Sequence, residues 1–301
     1  MDEMTEDSSA FEFRDPMPEL REPRLLLSLR PWIDVGSVAT MALTWFEEAW
    51  KAEPLAQLSR PGRYYDFTRY RPMLYRHEGQ RQVSVPNTAV HHARVDGQDW
   101  LLMHALEPHS HGDEYVDEVM GLFKRLGVRQ YMLIGSMYAP VPHTRPPLVS
   151  GGASGESLRS RLHGAGVKES NYEGPTTIMA MLPAMSQGAG IETATVILQL
   201  PAYAQIERDY RGLRCLLELL CRTFGFSLEL GPVAEEEQRQ AEAIEESVRE
   251  DSRLQAWVAE LEAMYDAEQG PGEEPGAPLS PGLESFLREV EQRWTEGEPP
   301  Q

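Results

Sequence analysis

The chain has 301 residues, with 48 acidic and 28 Lys or Arg side chains, a net charge of −20 and a pI of about 4.8. An anionic excess of that size argues against a nucleic-acid backbone or an anionic membrane as partner. Hydrophobic residues make up 41%, enough for a sizeable core in one or two domains, and no apolar run reaches the ~20 residues that a membrane span needs.

The charge is uneven. From Ala234 onward nineteen Asp or Glu face five Arg, a net of −14, which leaves −6 for the first 233 residues. The two cysteines, Cys215 and Cys221, lie six apart on one expected helix and suit neither a bridge nor a metal site. Reduced thiols and the lack of a charged-then-apolar leader pattern point to a cytoplasmic protein.

In chain order, residues 1–22 read as a mobile acidic arm, with Phe11 and Phe13 as its only anchors. The α/β core spans 23–232. Arg24 to Leu29 is its first buried strand, and Asp34, Gly36 and Ser37 turn the chain into a helix near Val38. One glycine without GxGxxG or a Walker lysine marks a tight turn rather than a phosphate cradle. Tyr64 to Phe67 reads as a short aromatic strand. Glu78-Gly79 and Asp96-Gly97 mark two hairpins, and the uniformly apolar Trp100 to Met103 marks a central strand. His91, His92, His104, His109 and His111 show no paired metal spacing, so no metal and no cofactor is expected.

Gly112 to Leu126 carries a helical apolar stripe closed by Gly127, and Val128 to Ile134 returns to the sheet. The segment from Ile134 to Gly151 then holds Pro140, Pro142, Pro146 and Pro147. Each proline fixes φ and lacks an N–H, so this is a stiffened loop leaving the end of a core strand. It presents His143, Thr144 and Arg145 where α/β sheets place their sites. Gly151-Gly152 permits close backbone approach. Thr176 to Gln187 reads as a helix ended or bent by Pro183, with Met179, Met181 and Met185 as core filling. A strand at Thr193 to Leu200 and a helix at Glu207 to Phe224 complete the core. Residues 233–268 form an acidic helical subdomain with one broken apolar stripe, 269–279 a Gly/Pro/Glu linker, and 280–301 an amphipathic tail helix.

Four stretches in register resemble the PAC2 family, the bacterial and archaeal relatives of proteasome assembly chaperone 2. They are Trp32-Ile-Asp34-x-Gly36, Tyr65-Asp66-Phe67 with Arg71-Pro72, Val141-Pro-His143-Thr-Arg145-Pro146, and Tyr172-Glu-Gly174-Pro175-Thr176. The resemblance implies a three-layer α/β/α sandwich with a mixed sheet, phosphorylase- or hydrolase-like in architecture, followed by a C-terminal helical subdomain. It also implies homo-oligomers, trimers among them, and assembly through protein contacts. On this reading Asp34, Gly36, His143, Thr144, Arg145, Tyr172, Glu173, Gly174 and Thr176 form a binding surface for a protein partner, without catalysis. The alternative is a hydrolase- or phosphorylase-like enzyme, or a small-ligand sensor. There Arg145 holds an anion and His143 acts as acid or base, oriented by Asp34 or Glu173. That alternative requires the four side chains to share one cleft.

Overall fold

The computed structural model describes residues 9–269 and 281–295. Its centre is a nine-stranded mixed sheet in the order β1-β3-β6-β7-β2-β8-β11-β9-β10. These strands are β1 (Phe11–Phe13), β2 (Arg24–Arg30), β3 (Glu53–Leu58), β6 (Ala89–Val95), β7 (Gln98–Leu106), β8 (Gln130–Ala139), β9 (Val149–Ala153), β10 (Lys168–Glu169) and β11 (Glu192–Pro201). Strands β4 (Met73–His77) and β5 (Gln80–Ser84) form a separate hairpin. β7, β2, β8 and β11 are mutually parallel and buried on both faces, which is why they read as nearly continuous apolar runs.

Alternate side chains go to opposite sides. Leu25, Leu27, Leu101, Met103, Tyr131 and Leu133 pack under α2 (Gly112–Leu126). Leu26, Leu102, Met132, Ile134, Val196 and Leu198 pack under α1 (Val38–Trp50), α3 (Glu156–Gly164) and α5 (Tyr210–Phe224). The result is the expected three-layer sandwich.

Several expectations need correction. Residues 9–22 do not hang free. β1 pairs antiparallel with β3, Phe11 is buried, and the Arg125 guanidinium sits 3.9 Å over the Phe13 ring. The Asp99 carboxylate accepts from the Arg21 N–H at 2.8 Å, and Arg94 donates to the Glu19 carbonyl at 2.7 Å. Residues 1–8 lie outside the described residues.

Tyr64 to Phe67 is not a strand. It follows a single 3₁₀ turn at Pro61–Arg63, and Tyr64 and Tyr65 turn inward against Tyr115. Besides β1, the sequence reading missed β3 and the two-residue β10. In β3, Pro54 is the second residue and lies beside a register shift, a position where a missing N–H is tolerated. Pro183 neither ends nor bends a helix. It sits in the first turn of α4 (Leu182–Gly188), where the ring fits. Of the three methionines only Met179 is buried, while Met181 and Met185 are exposed.

The acidic helix is two helices, α6 (Gly231–Glu250) and α7 (Ser252–Gln269). Asp251 interrupts them with extended backbone, and its carboxylate accepts from the Arg253 and Leu254 N–H groups. The expected linker falls almost wholly on residues outside those described. The tail forms α8 (Pro281–Thr295), which docks on its own chain. Leu283 and Val290 are buried, and Phe286 stacks on Trp257 of α7 at 4.9 Å. Among the described residues no helix is long and apolar enough to cross a membrane.

Candidate functional site

The central strands β2, β8 and β11 end side by side, and three connections leave their C-terminal ends. After β2, the Asp34 turn is stitched to β8: Ser136 donates its N–H to the Ile33 carbonyl at 2.9 Å and its hydroxyl to the Val35 carbonyl at 2.6 Å. Gly36 has φ +60° and packs against the connection after β11. A Cβ placed on it would lie 2.8 Å from the Asp209 Cβ, and the Asp209 N–H donates to the Gly36 carbonyl at 2.9 Å. Packing therefore requires glycine here.

The Asp34 carboxylate, three residues before the N-cap Ser37, caps the first turn of α1. Its Oδ1 accepts from the Ala39 N–H at 2.7 Å, and the Thr40 hydroxyl donates to Oδ2. Burial raises its pKa from 3.8 to about 6, against the lowering effect of those hydrogen bonds. The unfolded chain ionises Asp34 near 3.8 and the folded chain resists until about 6. Its contribution is thus complete below 3.8 and is lost as pH rises through 6, about 3 kcal/mol in all. Urea unfolding of wild type and Asp34→Asn between pH 4 and 8 should show the variant gaining on wild type by about that amount. A pH-independent difference would contradict the assignment.

The proline loop after β8 grips the helical subdomain. Arg145 makes two parallel bonds to Asp266, Nε to Oδ1 at 2.8 Å and Nη2 to Oδ2 at 2.7 Å, and reaches Glu262 at 3.2 Å. The Thr144 hydroxyl donates to Glu262, the Tyr265 hydroxyl to the Pro146 carbonyl at 3.0 Å, and Arg211 to the Arg145 carbonyl at 2.7 Å. His143 is buried, with Nδ1 2.6 Å from the Tyr203 hydroxyl and its own N–H donating to that oxygen at 2.7 Å. Burial first, and then the Arg211 charge, lower the His143 pKa and keep the ring neutral at pH 7.

The cavity beside His143 and Arg145 is about 40 Å³, far below the volume of a ligand pocket. Its walls include Asp209 and Arg211, which the sequence reading did not nominate. Asp209 accepts the Gly212 N–H at 2.7 Å as N-cap of α5, and that cap, one residue before a leucine-rich periodic run, was the available signal.

The fourth motif lies elsewhere. Tyr172, Glu173, Gly174 and Thr176 are exposed, and the Tyr172 hydroxyl closes the segment on the Pro175 carbonyl at 2.9 Å. Tyr172 and Thr176 line a second cavity of about 860 Å³ with Trp32, Tyr138, and Leu287 and Val290 of α8. The nominated residues thus divide between two places. Neither cavity is lined by Asp34 or Glu173, and His143 meets a tyrosine rather than a carboxylate. The shared cleft that an acid–base reading requires is not formed.

The family model for the PAC2 family matches residues 28–249. A PAC2 family protein from Streptomyces avermitilis is 27% identical, covers 78% of this chain and 99% of its own, and superposes with a TM-score of 0.70. A Mycobacterium tuberculosis protein of unknown function is 26% identical over 87% of this chain and 92% of its own, with a TM-score of 0.74. A proteasome-assembly chaperone homologue from the same organism is 26% identical over 78% and 99%, with a TM-score of 0.68. No curated protein matches the chain in sequence. With its cap at Asp34, its braced proline loop and this match over more than two thirds of its length, the chain belongs to the PAC2 family.

Proposed function

We propose that this protein is a non-catalytic, protein-binding module of the assembly-chaperone kind that works in the cytoplasm as a homo-oligomer. The observation that carries the reading is the β4–β5 hairpin. It stands apart from the main sheet and exposes Met73 at 66%, Leu74 at 63% and Val83 at 60%. Leu74 and Val83 are direct cross-strand partners, and Val85 continues their face. On that face Arg76 also stands directly opposite Arg81, a like-charge pair that destabilises an isolated hairpin.

Apolar residues beside two paired cations suit an acidic, partly apolar partner surface. This chain offers one in α6, where seven glutamates face two arginines and Glu242, Glu245, Glu246 and Glu250 are exposed. Hairpin on helix is a contact between unlike surfaces, which closes into a ring when the rotation permits. The family resemblance favours three copies. Kinship to a proteasome-assembly chaperone homologue and the structural use of His143, Thr144 and Arg145 support binding over chemistry.

Light scattering on the full chain at tens of micromolar tests this. The expected mass is about 102 kDa, three times 34.0 kDa, falling to a single chain in Leu74→Asp/Val83→Asp. A 34.0 kDa wild-type species would overturn the oligomer. An unchanged mass in the variant would move the contact away from the hairpin.

A further inference from the structure

Outside the proline loop, three side chains with metal-binding chemistry come from three different elements. Glu47 lies in the last turn of α1, His91 on β6 and His104 on β7. The β6–β7 register pairs His91 with Leu102 and Ala89 with His104, so the two histidines are diagonal neighbours on the face that α1 covers. His91 Nδ1 is 2.9 Å and His104 Nε2 is 2.8 Å from the same oxygen, Glu47 Oε1. The two rings stand nearly perpendicular, at 84° with centroids 6.1 Å apart.

A purely structural triad would have both imidazoles donating well-aimed hydrogen bonds to that oxygen. His104 does so, but His91 Nδ1 is buried with no correctly directed partner despite its short distance. A buried ring nitrogen held close to a carboxylate, yet misdirected for donating to it, has a lone pair open to a cation.

We propose that Glu47, His91 and His104 bind a first-row divalent cation of the zinc class. Two imidazoles and one carboxylate are a recurrent three-ligand set for such ions, with the fourth position left to water or substrate. Imidazole-rich donors favour zinc, cobalt or nickel over magnesium or calcium. Ligand atoms ~2.1 Å from a tetrahedral ion lie roughly 3.4 Å apart, so the two short distances open by about half an ångström on loading. All three donor atoms lie within 4.8 Å of one another, and the side chains are half-buried, at the margin of solvent. The site escapes a sequence scan because Glu47 precedes His91 by 44 residues on a helix with no metal motif.

The test is titration of the untagged, chelator-stripped full chain with Co²⁺, read by visible d–d absorption, followed by Zn²⁺ displacement. The expected result is one equivalent bound, without a sulfur charge-transfer band, which excludes Cys215 and Cys221. Glu47→Gln, His91→Gln and His104→Gln should each weaken binding at least about a hundredfold, beyond what loss of a supporting group costs. His109→Gln and His111→Gln should bind like wild type. Far-UV circular dichroism identifies any variant that fails to fold, and the remaining variants then decide. No cobalt binding below about 100 μM, or binding that survives in the folded ligand variants, would overturn the proposal.

Discussion

Gly151→Ala should unfold at markedly lower urea than wild type, with a loss of about 3 kcal/mol or more, at the upper end of what overpacking costs. Gly151 lies on β9 where it pairs with Val196 of β11. A Cβ there would sit 2.0 Å from the Thr195 carbonyl oxygen and 3.0 Å from its carbonyl carbon. Both are backbone atoms of a buried strand, so no rotamer change relieves the clash, and β9 must move away from β11. The neighbouring Gly152 has open space, so Gly152→Ala serves as the control and should change stability little. Urea denaturation of both variants checks the pair. Equal stabilities would mean that β9 lies farther from β11 than described.

Phe46→Ala should cost about 3–5 kcal/mol, the range for removing a large aromatic side chain from a closed core. Phe46 is fully buried on α1, 4.4 Å from the Trp50 ring and edge-on to Phe226 at 5.5 Å. Phe226 in turn meets Trp100 of β7, so the cluster ties helix α1, a central strand and the segment after α5 together. The cavity is walled by rings fixed by one another and cannot collapse cheaply. Thermal unfolding checks this, and a loss under about 1 kcal/mol would show that the cluster is loose.

Much of this core was legible in the sequence because local and global preferences agree there. The β2 strand, the Asp34–Gly36–Ser37 turn, α1, the Asp96-Gly97 hairpin and α2 each carry a periodicity matched to their burial. Gly151 was legible for the same reason, since a glycine within a strand signals close backbone approach. Other features were set by partners distant in sequence. β3 is a strand because β1 and β6 flank it, although Pro54 and two polar side chains weaken its own pattern. Tyr64 and Tyr65 have strand-like composition, yet their rings and hydroxyls are claimed by Tyr115, Thr88 and Glu114. The break at Asp251 was a missed cap, since an Asp-Ser step inside an acidic run reads as one more polar pair.

The nominated residues fall in two places, and those of the proline loop are tied up in holding the helical subdomain. Sequence shows that His143, Thr144 and Arg145 are polar groups on a rigid loop. It does not show that Glu262, Tyr265 and Asp266, more than a hundred residues later, take up that loop's hydrogen-bonding capacity. Without that knowledge, an arginine beside a histidine looks like the beginning of chemistry.

The central claim is that the VPHTRP loop is a brace that fixes α7 and the surface around it. Hydrogen–deuterium exchange on Thr144→Val/Arg145→Ala tests it most directly. The brace predicts faster exchange confined to residues 252–269 and the tail helix stacked on them, with the central strands protected as in wild type. Unchanged exchange in α7 would contradict it and return Arg145 to the pool of side chains free to meet a substrate.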